Sequence, residues 1–279
     1  MSATIEARKA RPYWTLVQEP RAPAIPYALP MRAPVHVTLI SLVALGLLWT
    51  LGAAIAQDAD ILPTPVAVWQ VIAAESASGD LWHHMANTLR RVALAFALAM
   101  AVGTTLGILL GRSERLNMWC DPWVTVFLNL PALVIIVLCY LWIGLNEVAA
   151  IIAVALNKTA MVTVTIREGV RTLDRGVGDM AQVYRLSPMT RLRHVIWPQL
   201  GPFVATSTRN GLAVIWKIVL VVEFLGRSNG VGFQIHLYFQ LFDTATVMAY
   251  ALAFTGVMLS IEYGLVQQWE RRSSVWRRV

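Results

Sequence analysis

Asp179-Met-Ala-Gln-Val-Tyr-Arg-Leu-Ser-Pro-Met-Thr-Arg-Leu-Arg-His-Val-Ile-Trp-Pro198 is a polar stretch set between long greasy segments. It is basic, with Arg185, Arg191, Arg193 and His194. Pro188 and Pro198 divide it, because proline lacks a backbone donor and crowds the preceding helical turn. The stretch therefore reads as two short helices joined by a turn. Its apolar side chains, Met180, Val183, Leu186, Leu192 and Val195, need cover. A loop of this kind between membrane spans reads as a docking element for a soluble protein that supplies energy.

Working outward, the flanking segments are too apolar for a soluble domain. Of 279 residues, 57% are hydrophobic and 14% charged, and mean hydropathy is +0.58. Soluble domains carry about 25% charged residues, so much of this surface faces lipid. The net charge of +7 marks loops on the cytoplasmic side rather than a nucleic-acid partner. Cys120 and Cys139 show neither metal nor redox spacing.

Six spans are predicted: about 35–56, 89–111, 123–143, 148–166, 203–225 and 244–266. About 20 apolar residues suffice for each. Pro131 is expected to kink the third. The stretch 63–72 opens with Pro63 and Pro65 and reads as a helix, either along the outer interface or packed on the bundle. The long loop 167–200 carries the polar stretch, and a Gly-rich segment, 226–232, follows the fifth span. Of the 23 Lys and Arg, most lie in residues 1–34, the 112–115 turn, the 167–200 loop and the C-terminus. That bias places both termini inside. Arg90 and Arg91, at the outer end of the second span, run against it. Six of the 13 prolines fall in residues 1–34, which read as a basic cytoplasmic tail rather than a cleaved signal. The membrane domain is residues 35–268, and 269–279 form a second basic tail.

Gly103, Gly107 and Gly111 share one helix face and permit close backbone approach. That face packs within the chain or forms a dimer seam. Ionisable groups at membrane depth mark a path or a buried partner. Lys158, Lys217 and Glu223 are the candidates for a translocation path, and the last two lie on different helix faces. Arg209 and Asn210 lie nearer the inner face and read as structural. His83-His84 is a weak metal cue, and outer-surface polarity is the better reading. No catalytic or metal site emerges. The three lysines follow Arg8, Asn157 and Trp216, so no Gly-Lys phosphate loop exists. The chain itself is expected to bind no cofactor.

The 179–198 stretch resembles the inner loop of permease subunits of bacterial ABC importers, written Glu-Ala-Ala-x3-Gly-x9-Ile-x-Leu-Pro. Aligned on Pro198, Asp179 stands at the Glu, Ala181 at the second Ala, Arg185 at the Gly, Val195 at the Ile and Trp197 at the Leu. Leu62-Pro-Thr-Pro65, Asn87-Thr-Leu-Arg-Arg-Val92, Leu130-Pro131 and Glu223-Phe-Leu-Gly-Arg-Ser-Asn-Gly-Val-Gly232 look like the sulfonate, taurine and nitrate branch. The resemblance covers about residues 35–270. It implies an all-α membrane protein of six transmembrane helices with a coupling-helix loop between the fourth and fifth. In that loop Asp179, Ala181, Arg185, Leu186, Ser187, Arg191 and Pro198 would engage the ATPase. It also implies ABC ATPase subunits holding ATP and Mg2+, a periplasmic substrate-binding protein and a second permease copy in the inner membrane. The solute would be a small anion such as an aliphatic sulfonate, taurine or nitrate. Alternatives are another small organic such as a thiamine pyrimidine precursor, an ATP-independent secondary transporter or channel, and a membrane enzyme.

Overall fold

The computed structural model describes residues 35–262 and residue 264. The predicted tails, 1–34 and 269–279, lie outside them. The chain divides into two units, residues 1–47 and 48–279. Of the first, the structure describes residues 35–47, the leading part of helix α1 (Val35–Ala56). This helix contains no Asp, Glu, Lys or Arg, and its bounds coincide with the first predicted span. Leu39, Ile40, Leu42, Val43 and Leu45 are exposed, as lipid-facing side chains are.

The second unit continues with α2 (Pro65–Ser78), α3 (Asp80–Arg112), α4 (Glu114–Asn129), α5 (Ala132–Ile143) and α6 (Glu147–Arg171). There follow α7 (Arg175–Val183), α8 (Pro188–Arg191), α9 (Trp197–Gly226), α10 (Val231–Gln240) and α11 (Thr244–Ile261). Among the described residues there is no strand. Four helices, α1, α3, α6 and α11, are long and apolar enough to cross a membrane, and α4 with α5 makes a fifth if taken together. α9 is long enough, at 30 residues, but carries Arg209, Lys217 and Glu223.

Several expectations need correction. The third span is not one kinked helix. α4 and α5 meet at 100° around Leu130-Pro131. Leu130 is extended ahead of the proline, as the steric demand of the pyrrolidine ring requires. The second span starts at Asp80 rather than near Leu89, so Arg90 and Arg91 sit inside a helix. Pro198 does not divide the polar stretch. Residues Leu192–Ile196 form one widened π turn that runs directly into α9. Proline lacks a donor and crowds the carbonyls of the turn before it, and here that turn is the widened π turn, which leaves the ring room without breaking the helix. α2 is packed on the bundle. Val68 is buried, and Glu75 accepts a 2.6 Å hydrogen bond from the Tyr250 hydroxyl of α11.

The bundle is built on α3 against α6. A Cβ added to Gly103 or Gly107 would lie 2.7 Å from the Cβ of Val162 or Ile166, and one on Gly111 would lie 2.5 Å from that of Val170. The glycine stripe thus faces α6 within the chain, and bulk is tolerated on only one of the two helices. α9 completes the layer. Ile196, Leu200 and Phe203 pack with Val162, Ile166 and Val170 at one end. Ile215, Val219 and Val222 pack with Ala95, Ala149 and Ala153 toward the other.

Gly107→Ala is expected to lower stability by about 1–3 kcal/mol, the usual cost of overpacking a tight contact. Its methyl would also meet the Thr163 carbonyl oxygen at 2.8 Å. Gly256→Ala, with nothing within 4 Å, is expected to be neutral or slightly stabilising. Thermal unfolding of both variants in detergent checks the contrast.

Candidate functional site

Two arrangements carry chemistry, one at each end of the α3–α6–α9 layer. At the Glu147 end, Arg91 on α3 is buried at 2% exposure, and Glu223 on α9 is wholly buried at 0%. A buried charge must find a counter-charge and hydrogen bonds. Arg91 Nη1 donates to Glu223 Oε1 at 2.6 Å and to the Asn229 carbonyl at 2.9 Å. Its Nε and Nη2 fork onto Glu147 at 2.8 and 3.0 Å, a bidentate pair. Nη2 also reaches the Asn229 side-chain oxygen. The second oxygen of Glu223 accepts from the Thr88 hydroxyl at 2.8 Å and from the Gly232 amide at 2.9 Å. Arg227 joins Glu147 at 3.0 Å.

The loop after α9 is therefore pinned to α3 and α6. Its glycines are required at close approach. Gly230 has φ +111°, and a Cβ there would collide with the Glu223 carboxylate. His84 Nδ1 accepts the Gly230 amide at 3.0 Å, which puts the imidazole proton on Nε2 in the neutral ring. Nε2 sits 2.6 Å from the Gln234 amide. Turning that amide so that Oε1 accepts would also satisfy the one buried Gln234 atom left without a partner. His84 is thus half-buried and tied down rather than free surface polarity, while His83 is exposed.

At the Arg171 end, the polar stretch forms two short capped helices joined by a turn. Asp174 caps α7 by accepting from the Gly176 amide at 2.8 Å. α7 ends with Arg185 at φ +50°. Leu186 N–H reaches the Ala181 carbonyl and Arg185 N–H the Gln182 carbonyl, both at 3.0 Å. This is the left-handed helix stop that favours glycine, and it is where the resembled motif has its Gly. Ser187 caps α8, accepting from Thr190 N–H at 3.2 Å. Ala181 is buried, and so is Val195. Met180, Val183, Tyr184 and Met189 are exposed. Asp179, Arg112, Arg191 and Gln199 line a cleft of about 330 Å³. The Gln199 side chain accepts the Asp174 backbone amide at 3.0 Å, which ties the start of α7 to α9. Arg167 ties α6 to Asn117 at 2.9 Å and to Asp121 of α4.

The path candidates do not meet at one point. Lys158 is 2% exposed, with its ammonium 2.7 Å from the Met161 sulfur. Lys217 is exposed on α9, 5.5 Å from the Trp216 ring centroid. Glu223 lies in the ion network. Sequence reasoning missed Arg91, Glu147, Arg227 and Thr88 as a unit. The available signal was topological: Arg91 and Glu223 carry opposite charge at the same end of two spans.

Residues 103–269 match the family described as "Binding-protein-dependent transport system inner membrane component". The putative aliphatic sulfonates transport permease protein SsuC of Bacillus subtilis is 29% identical over 239 residues, 86% of each chain. The taurine transport system permease protein TauC of Escherichia coli is 28% identical, covering 70% of this chain and 71% of that one. In fold, the chain is similar to an inward-facing structure of the MetNI methionine ABC transporter. That match has a TM-score of 0.62 at 14% identity and covers 71% of this chain and 98% of the other.

Arg91→Ala is expected to destabilise the chain by about 3–5 kcal/mol, because Glu223 is left buried and unpaired. Arg91→Met with Glu223→Gln is expected to recover part of that loss, and exposed Arg90→Ala to cost little. Thermal unfolding and membrane yield read the order, and an Arg91→Ala loss no larger than that of Arg90→Ala refutes the network's role. Arg185→Gly is expected to stabilise the α7 stop by about 1 kcal/mol, since a side chain there strains the left-handed backbone. Amide exchange at Leu186 measures it.

Proposed function

The chain belongs to the family of binding-protein-dependent transport system inner membrane components, and from that premise we propose that it is the permease subunit of an ATP-binding cassette importer for a small anion. Aliphatic sulfonates and taurine are the first candidates. The solutes named for SsuC, TauC and the bicarbonate permease CmpB of Synechococcus elongatus, 26% identical over 70% of this chain, support that class. All three are small and carry an anionic group.

On this reading six spans cross the inner membrane: α1, α3, the bent α4–α5 pair, α6, α9 and α11. α9 is roughly 45 Å long at 1.5 Å per residue, enough to cross despite its charged residues. The Arg171 end, with α7 and α8, faces the cytoplasm, and the arginine bias of that end supports this orientation. Both termini are then cytoplasmic. A second copy completes the route, and a periplasmic binding protein delivers solute at the Glu147 end. The energy comes from a separate ATPase. ATP and Mg2+ belong to that subunit, which grips α7 and α8.

The observation that carries the docking role is the exposed apolar set Met180, Val183, Tyr184 and Met189 on a rigidly capped segment. Apolar side chains held out on a short, ordered, basic loop are the anatomy of a partner surface. The cap at Asp174, the stop at Arg185 and the cap at Ser187 hold them in fixed relation. Burial on a partner offsets the cost of exposing them to water.

Val183→Asp alters only an exposed side chain, at 78% exposure. It is expected to abolish co-purification with the cognate ATPase and to cut ATP-driven uptake at least tenfold, while unfolding temperature is unchanged. Retained co-purification at unchanged uptake defeats the docking role.

A further inference from the structure

Resting on the importer reading, we infer that one face of α9 lines the solute route and that Lys217 makes that route selective for anions. Thr206, Asn210, Val214, Lys217 and Val221 recur in steps of three and four, and all five are exposed. They form one stripe along the helix. Ile215, Val219 and Val222, on the other faces, are buried in the core. Three residues of the stripe are polar or charged. Against lipid, an amide and an ammonium at depth are costly, so water is the neighbour this stripe fits.

Lys217 lies nine residues from Gly226, the last residue of α9. At 1.5 Å per residue that is roughly 14 Å from the helix end, near the middle of a hydrocarbon core about 30 Å thick. Its ammonium contacts the Trp216 ring at 5.5 Å. A ring face orients a cation without neutralising it. Among the described residues no carboxylate pairs with Lys217 or with Lys158. Lys158 sits behind the same helix, its Cε 3.6 Å from where a Cβ on Gly211 would lie. The only acid on α9 is Glu223, which is fully buried and held by Arg91. The sign along the exposed face is therefore positive. A positive, water-filled face admits a sulfonate or carboxylate and repels cations.

The test uses the full chain in proteoliposomes, with Cys120→Ser and Cys139→Ala removing both native thiols. Val221→Cys then places one thiol a helical turn from Lys217. The probes are the anionic sulfonatoethyl and the cationic trimethylammonioethyl methanethiosulfonates. With each rate divided by that reagent's rate with a free thiol, the anionic reagent is expected to react about tenfold faster than the cationic one, a factor of the size that local potentials give. Lys217→Gln is expected to abolish that preference and Lys217→Arg to keep it. Equal normalised rates with Lys217 present, a preference that Lys217→Gln leaves unmoved, or no reaction with either reagent each overturn the inference. ATP-dependent uptake of ethanesulfonate, with the ATPase and binding protein added, judges the importer reading separately. Its absence in the thiol-free parent sinks that reading, while the labelling ratio still decides the role of Lys217.

Discussion

A guanidinium cut off from water must find its anions inside the protein, and Arg91 finds two. Glu147 comes from the first turn of α6 and Glu223 from the last turns of α9. One side chain thus joins three helices and the Gly226–Gly232 loop. The pair is not a large source of net stability, because desolvating both ions offsets most of their attraction. Its effect is positional. An error of one helical turn in α9 would leave Arg91 or Glu223 buried alone, at several kcal/mol. The α6 partner is favoured twice, since Glu147 also sits at the positive end of its helix dipole.

That constraint sorts the charges of α9. Lys217 and Glu223 are six residues apart, and at 3.6 residues per turn they point about 120° away from each other. When Arg91 captures Glu223 on the packed side, Lys217 is left on an exposed side. The same helix therefore presents an electroneutral interior and a positive outer face. The glycine stripe of α3 acts with it. By letting α6 approach so closely, it sets Lys158 near Gly211 of α9, its Cε 3.6 Å from where a Cβ would lie.

Much of this was legible in the chain. Helix α1 ends where its apolar run ends, at Ala56, and the four-residue glycine spacing identified a close-packed face. Pro131 marked a break, but only the backbone could reveal that it turns the chain by 100°. Composition gave no warning that α3 begins nine residues early, because Asp80, His83 and His84 look like loop. They are helical because Leu81, Met85 and Thr88 bury on one side while the polar residues take other sides. Pro198 misled in the other direction. A proline reads as a divider, yet behind a widened π turn its ring is accommodated and the helix runs on. The ion network was invisible for a simpler reason. Its members are scattered over Thr88, Arg91, Glu147, Glu223 and Asn229, and no local pattern joins them. Arg185 was the informative mismatch. A residue other than glycine at the motif's glycine leaves the turn in place, and the backbone takes the left-handed conformation regardless.

The continuity of α9 with the α7–α8 segment decides how the two ends can communicate. The π turn at Leu192–Ile196 and the first turns of α9 form one helical rod, and Gln199 clamps the start of α7 to it. At the other end the rod is held by Glu223 through Arg91, Thr88 and Gly232. A rod pinned at one end and pushed at the other tilts about the pin. Displacement is then greatest near Trp197 and smallest near Glu223, with Lys217 close to the pivot. On the importer reading, a solute site near that pivot would keep its geometry while the walls toward the Arg171 end open or close. On the same reading, the ion network is the pivot for movement of the α7–α8 segment, which the packing of Leu200 and Phe203 on α6 must then yield to.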